Sequence, residues 1–202
     1  GGKGWGLNGN DVVEELGSTG IPVYNMSAGC AAGGNAFNVG YSMVAGGVYD
    51  MVLVVGGEVM PKGMIQTSGV ADHNDPEYLR QRCVGMPGPA FWAALARRRM
   101  HEHGTTSEQM AWIRVAASHH AQHNPHAMVR DVVTVQDVVG SPMISDPLHR
   151  LDCCVISDGG GALVLVSAER ARDFPEKPVW VLGTGESVET PMVSQMEDFT
   201  TS

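Results

Sequence analysis

The residue whose neighbours best equip it for chemistry is Cys30, in the run Val23-Tyr24-Asn25-Met26-Ser27-Ala28-Gly29-Cys30-Ala31-Ala32-Gly33-Gly34-Asn35-Ala36. Ile21 to Met26 is β-branched and aromatic and predicts a strand; a turn of small residues follows, and the cysteine falls at the start of a predicted helix. Unpaired amides in a helix's first turn concentrate partial positive charge there, which favours a thiolate over a thiol. The small residues on both sides leave the sulfur open to an incoming electrophile. The arrangement is that of a nucleophile elbow, without the Gly-x-Ser-x-Gly signature of the hydrolases. The competing reading is a buried, inert cysteine, a common core residue.

Other residue groups compete for attention. His119, His120, His123 and His126 crowd one helix end, and His119 with His123 has the i, i+4 spacing of metal ligands; His101 and His103 add to the count. No Glu follows His119 in the metalloprotease pattern, so a solvated helix face is the preferred reading and no metal site is expected. Gly4-Trp5-Gly6-Leu7-Asn8-Gly9 matches Gly-x-Gly-x-x-Gly, but no strand precedes it, and it reads as a loop. The adjacent Cys153 and Cys154 precede an apolar strand and read as core packing; Cys83 shows no sign of reactivity. Glu58 ends a strand and reads as a structural carboxylate, with general-base chemistry as the alternative.

The elements that must position Cys30 follow from periodicity and caps. Leu7 to Gly17 predicts a short helix capped by Asn10 or Asp11 and ended by Gly17. Ala31 to Ala45 predicts a helix with Ala32, Ala36, Phe37, Val39 and Met43 on its buried face and Gly46-Gly47 as its stop. Met51 to Val55 is a continuous apolar strand ending in Gly56-Gly57-Glu58. Strand, helix, strand in that order predicts a βαβ unit with a parallel pair. From Met60 to about Ser145 the composition turns to Met, His, Pro and Arg with no clear strand, a helical excursion inserted into an α/β domain. Its helices run from Pro89 to His103, from about Ser107 to His123 behind a Thr105-Thr106-Ser107-Glu108 capping box, and from Thr134 to Val139. Ala162 to Val166 predicts a return strand, Ala168 to Asp173 a helix, and Val179 to Leu182 a further strand.

Composition bounds the function. The 202 residues carry 13 Lys and Arg against 22 Asp and Glu, a net charge of −9, which leaves no basic footprint for nucleic acid. Hydrophobic residues at 43% and charged residues at 17% describe a globular chain with a buried core. The 26 glycines are aperiodic and sit in apolar segments, which points to tight turns and close backbone approaches. The 4 cysteines form no disulfide framework. No run approaches the roughly 18 apolar residues of a membrane span, and the N-terminal residues show no signal peptide. A reducing, cytoplasmic setting is expected, with the chain an internal piece of something longer. The 12 Met residues suit an adaptable apolar lining, although Met is more often ordinary core.

Asn25 to Phe37, followed by Ala45-Gly46-Gly47-Val48-Tyr49-Asp50 and Val54-Val55-Gly56-Gly57-Glu58-Val59-Met60, resembles the nucleophile segment of the thiolases. The resemblance is closest to the sterol carrier protein X type and its lipid-transfer-protein relatives. Gly104 to Gln109, Asn124 to Ala127, Ser141 to Leu148 and Leu151 to Gly159 match in family order, so the likeness covers essentially the whole chain. It implies an α/β chain with a layered αβαβα thiolase-like fold, present in part, and an inserted helical loop domain. The implied domains are 1–59, carrying the nucleophile; 60–150, the loop domain lining the acyl-CoA cleft; 151–175, a return strand and helix; and 176–202, the start of a C-terminal domain.

By the same resemblance Cys30 is the nucleophile and its backbone N–H an oxyanion donor, in Claisen condensation or thiolysis of acyl-CoA thioesters. Coenzyme A thioester is then the substrate, with no bound cofactor. The implied partners are a second copy of the chain and a small acyl-CoA-binding protein. Ala32 stands where the family often has Ser, and Asp158-Gly159-Gly160-Gly161-Ala162 where it usually has Asp-Gly-Ala-Ala-Ala. These departures leave open a retro-aldolase branch acting on sterol side-chain thioesters, or a catalytically inert acyl-CoA-binding subunit. The family's His-Asp-Cys-Phe, Asn-Glu-Ala and Gly-His-Pro motifs do not occur in these residues. The chain is expected to be about half a thiolase, without turnover on its own.

Overall fold

The computed structural model describes residues 8–60 and 88–188, residues 196–198, and Pro76, Leu79, Cys83 and Thr200. Most of the Gly4–Gly9 motif and parts of the 60–87 and 189–202 segments lie outside the described residues. The chain divides into two units, one made of residues 1–61 and 157–188, the other of 62–156 and 189–202.

The first unit is built on two strands and the helix that packs on them. Helix α1, Gly9–Leu16, starts at Asn8, whose side chain accepts from the Asn10 amide, and ends at Gly17 in the left-handed conformation. The cap is therefore Asn8, two or three residues before the expected Asn10 or Asp11. Its carbonyl already accepts from Asp11 (2.9 Å), as an N-cap's should. Helix α2, Ala32–Ala45, follows a 3-10 turn at Gly29–Ala31. Strand β1, Met51–Glu58, covers the predicted apolar run Met51–Val55 and continues through Gly56-Gly57-Glu58.

The predicted parallel pair does not form. β1 pairs antiparallel with β4, Gly159–Val166, in unbroken register from Met51 opposite Val166 to Glu58 opposite Gly159. Periodicity identifies both strands but carries no information on which partner each chooses. Residues 21–26 are not a strand among the described residues, and 179–182 form none either, with Val179 and Leu182 almost fully exposed. The predicted 168–173 helix is a 3-10 turn at Arg170–Asp173.

α2 meets the sheet through Gly40, its buried residue. A Cβ there would lie 3.1 Å from Val54 Cγ2, 3.2 Å from Leu165 Cδ1 and 3.3 Å from Val52 Cγ1. The missing side chain lets the helix backbone approach the strands closely. Gly40 is a contact that the expected Ala32/Ala36/Phe37/Val39/Met43 face does not include.

The second unit is helical, as its composition predicts. Helix α3, Gly88–His103, stops at Gly104, whose φ is +65°. Helix α4, Ser107–Ala121, buries Ala111, Val115 and Ser118, an i, i+4, i+7 stripe, against helix α5, Val135–Val139, whose Val138 is fully buried. Ser118 satisfies its buried hydroxyl by donating to the Val115 carbonyl (2.7 Å) and accepting from the Val133 amide (3.2 Å). The capping box of α4 is Thr106 with Gln109, one residue on from the expected Thr105 and Glu108. That of α5 is Thr134 with Asp137. Two short strands that the sequence does not announce, β2 at Met143–Ser145 and β3 at Leu148–His149, pair antiparallel.

Candidate functional site

Cys30 is exposed and sits in the middle of the 3-10 turn that opens α2. The turn starts abruptly: Ala28 has φ −148° and ψ 36°, and Gly29 has φ +55°. A left-handed residue costs glycine nothing and any other residue strain, so Gly29 is what allows the chain to reverse directly before the cysteine. The first amide to bond back is that of Ala31, to the Ala28 carbonyl at 3.1 Å. Cys30 stands ahead of it, in the stretch whose amides have no intrahelical acceptor. Neither Ala28 nor Ala31 places a capping side chain over these amides. The helix start is thus open to a bound anion or a developing oxyanion.

The approach to Cys30 is held by side chains. Asn25 Oδ1 accepts from the Gly9 amide at 2.8 Å. Val23 fills the space that a Cβ on Gly9 would occupy. On the other side Tyr24 Oη lies 3.1 Å from Tyr49 Oη, in the connection between α2 and β1. That hydrogen bond holds the Tyr49 hydroxyl above the ordinary phenol range. At the far end of β1, the Met60 amide donates to Asp158 Oδ1 at 2.9 Å, tying the exit of one strand to the entry of the other. In the sequence Asp158 shows only as part of a motif, and Asn25, Tyr24 and Tyr49 carry no functional mark of their own.

Among the other candidates, Glu58 ends β1 in the same unit as Cys30, exposed and opposite Gly159. Gly160 lies against β1 so closely that a Cβ would be 3.1 Å from the Gly56 carbonyl oxygen, whereas Gly161 has open space. Cys83, Cys153, Cys154 and the histidines belong to the second unit. Cys154 is exposed, which removes it from the core reading, while Cys153 is half-buried, and burial pushes its thiol up. His119, His120, His123 and His126 are exposed. Among the described residues no cluster of His, Cys, Asp and Glu is placed to hold a metal ion, and no helix is long and apolar enough to cross a membrane.

No protein-family model matches the chain. It is 37% identical over 189 residues to an acetyl-CoA acetyltransferase of Methanothermobacter thermautotrophicus, covering 94% of this chain and 49% of the relative. It is 47% identical over 104 residues to a steroid side-chain-cleaving aldolase of Thermomonospora curvata, covering 50% of this chain and 27% of the relative. Among solved structures it is similar to an Ltp2-ChsH2(DUF35) aldolase, at 34% identity and a TM-score of 0.67, covering 84% of this chain and 45% of that one. The chain is thiolase-like in sequence and α/β in fold. It spans about half the length of the acetyl-CoA acetyltransferase it matches.

Proposed function

We propose that Cys30 is the acyl-accepting nucleophile of a thiolase-like enzyme acting on coenzyme A thioesters. The observation that supports it most directly is an exposed cysteine in a glycine-initiated turn at the open start of a 14-residue helix. The thiolate adds to the thioester carbonyl, and the Cys30 amide hydrogen-bonds to the oxygen that becomes negative. The tetrahedral adduct then collapses, its carbon–sulfur bond to coenzyme A breaks, and the thiolate of coenzyme A leaves as the acyl group stays on Cys30. A second nucleophile, either the α-carbon of another acyl-CoA or the sulfur of coenzyme A, takes the acyl group as its bond to Cys30 breaks, and the proton that nucleophile gives up ends on the released cysteine thiolate. The assembled protein is a homodimer with a cytoplasmic setting, and the two-component name of the Ltp2-ChsH2(DUF35) relative supports a further partner subunit.

A retro-aldolase is the second reading, supported by the 47% identity to the steroid side-chain-cleaving aldolase. It breaks a carbon–carbon bond of a sterol-type thioester without acylating Cys30. Incubation with acetyl-CoA followed by peptide mass spectrometry separates the two. The acyltransferase reading expects one acetyl group on the Cys30 peptide, absent in Cys30→Ser. Binding of acetyl-CoA with no covalent mass would refute it in favour of the aldolase or of an inert binding subunit.

A further inference from the structure

The chain passes between its two units three times, and the third passage leads to a hydrogen-bonded turn. Residues 157–188 belong to the first unit and 189–202 to the second. Within the second unit the returning segment meets the end of α3. That helix closes at Gly104, whose φ is +65° and whose amide bonds back to the Met100 carbonyl at 3.0 Å. His103 is therefore the last helical residue, on backbone that the closing turn fixes. Its Nε2 lies 3.0 Å from Thr200 Oγ1. Asp198 Oδ1 in turn accepts from the Thr200 amide and from the Thr200 hydroxyl, each at 2.7 Å.

Proton count fixes the direction of the bond to His103. A threonine hydroxyl has one proton and two lone pairs. The proton goes to the Asp198 carboxylate, so the hydroxyl accepts from His103, and Nε2 carries the hydrogen. Thr200 presents that lone pair to α3 only while it is folded back on Asp198. One carboxylate oxygen thus orders the turn and, through it, the contact with the helix. We propose that Asp198, Thr200 and His103 form a relay clasp that fastens the returning segment to the helical unit, with Asp198 acting on α3 through the Thr200 hydroxyl. His103 and Asp198 are exposed and Thr200 is half-buried. Bonds in such a setting are individually weak, so the clasp opens and closes and does not weld the segment in place. It gives the helical unit a second restraint besides the chain exits joined at Met60 and Asp158.

The test is hydrogen–deuterium exchange of the 202-residue chain, read by peptide mass spectrometry over residues 98–104 and 196–202. Residues 111–118, which hold the buried stripe of α4, serve as the fold control. Asp198→Ala is expected to speed exchange about three- to tenfold in both reporter peptides, including the helix end that Asp198 reaches only through Thr200. Thr200→Val removes the hydroxyl and should match it at 98–104, while Thr200→Ser keeps the hydroxyl and should stay within about twofold of wild type. His103→Gln keeps an N–H donor and should also stay within about twofold at 196–202, whereas His103→Glu offers only acceptors and should be as fast as Asp198→Ala. Combining Asp198→Ala with His103→Glu should be no faster than the faster single variant, because both break one relay.

Unchanged exchange at 98–104 in Asp198→Ala would overturn the proposal. So would a Thr200→Ser variant as fast as Thr200→Val, equal behaviour of His103→Gln and His103→Glu, or additive effects in the double variant. If Asp198→Ala also speeds exchange at 111–118, it has loosened the whole unit, and the comparison of Thr200→Val with Thr200→Ser then decides. None of these outcomes depends on the role of Cys30.

Discussion

Adding one methyl group to α2 should have opposite effects at two positions on the same helix. A Cβ on Gly34 would have nothing within 4 Å, so Gly34→Ala collects only the helix-propensity gain, about 1 kcal/mol at most. Gly40→Ala collects the same gain, but its Cβ meets Val54, Leu165 and Val52 at 3.1, 3.2 and 3.3 Å. Two of those partners are valines, which have few alternative rotamers and sit on paired strands. Overpacking of this kind costs roughly 1–3 kcal/mol, so Gly40→Ala should be net destabilising by about 1 kcal/mol. The two variants then differ by about 2 kcal/mol, or roughly 4–8 °C in midpoint for a chain of this size. Thermal melts followed by far-UV circular dichroism measure the gap. A Gly40→Ala melt at or above that of Gly34→Ala would show that helix and sheet are not in close contact there, and would refute the packing argument.

Gly160→Ala should lower the melting midpoint while Gly161→Ala leaves it nearly unchanged, because only the first meets backbone, the Gly56 carbonyl oxygen at 3.1 Å; equal midpoints would contradict this. The Thr134 hydroxyl and amide hydrogen-bond the Asp137 carboxylate and hold it below the ordinary carboxylate range. Its stabilising effect is therefore complete above the unfolded value and is lost as pH falls through the folded one. Urea midpoints of wild type and Asp137→Asn should differ at neutral pH and converge in acid, and a gap of undiminished size in acid would count against this linkage. Burial pushes the Cys153 thiol up. Iodoacetamide at neutral pH should label Cys154 before Cys153, and the reverse order would show that Cys153 is more open than its burial implies.

Much of the fold is legible in the sequence because its signals are local. The glycines after α2, the apolar run of β1 and the composition shift near Met60 each announce themselves within a dozen residues. Cys30 is legible for the same reason, since strand-like, small-residue and helical segments succeed one another around it. Partner choice is not legible. β1 and β4 are both apolar runs, and nothing in a run states that its ladder will be antiparallel to a strand about 100 residues away. The Ile21–Met26 segment has strand composition, yet strand composition measures fit to a pleated surface and supplies no neighbour. Asn25 and Asp158 stay hidden because each acts through a hydrogen bond to a backbone amide, which leaves no mark in periodicity or charge.

The pairing of Glu58 with Gly159 gives the chain a modular join. The strands leave the ladder side by side, Met60 and Asp158 are clasped just beyond them, and about 100 residues lie between. Whatever is spliced in there leaves and re-enters the first unit through one doorway. Closing a loop of that length rather than a hairpin turn costs on the order of 3 kcal/mol, and the cost grows only logarithmically with further residues. The ladder is therefore nearly indifferent to the size of its insert. A scaffold of this kind can exchange the segment it carries for another without rebuilding the sheet that supports Cys30.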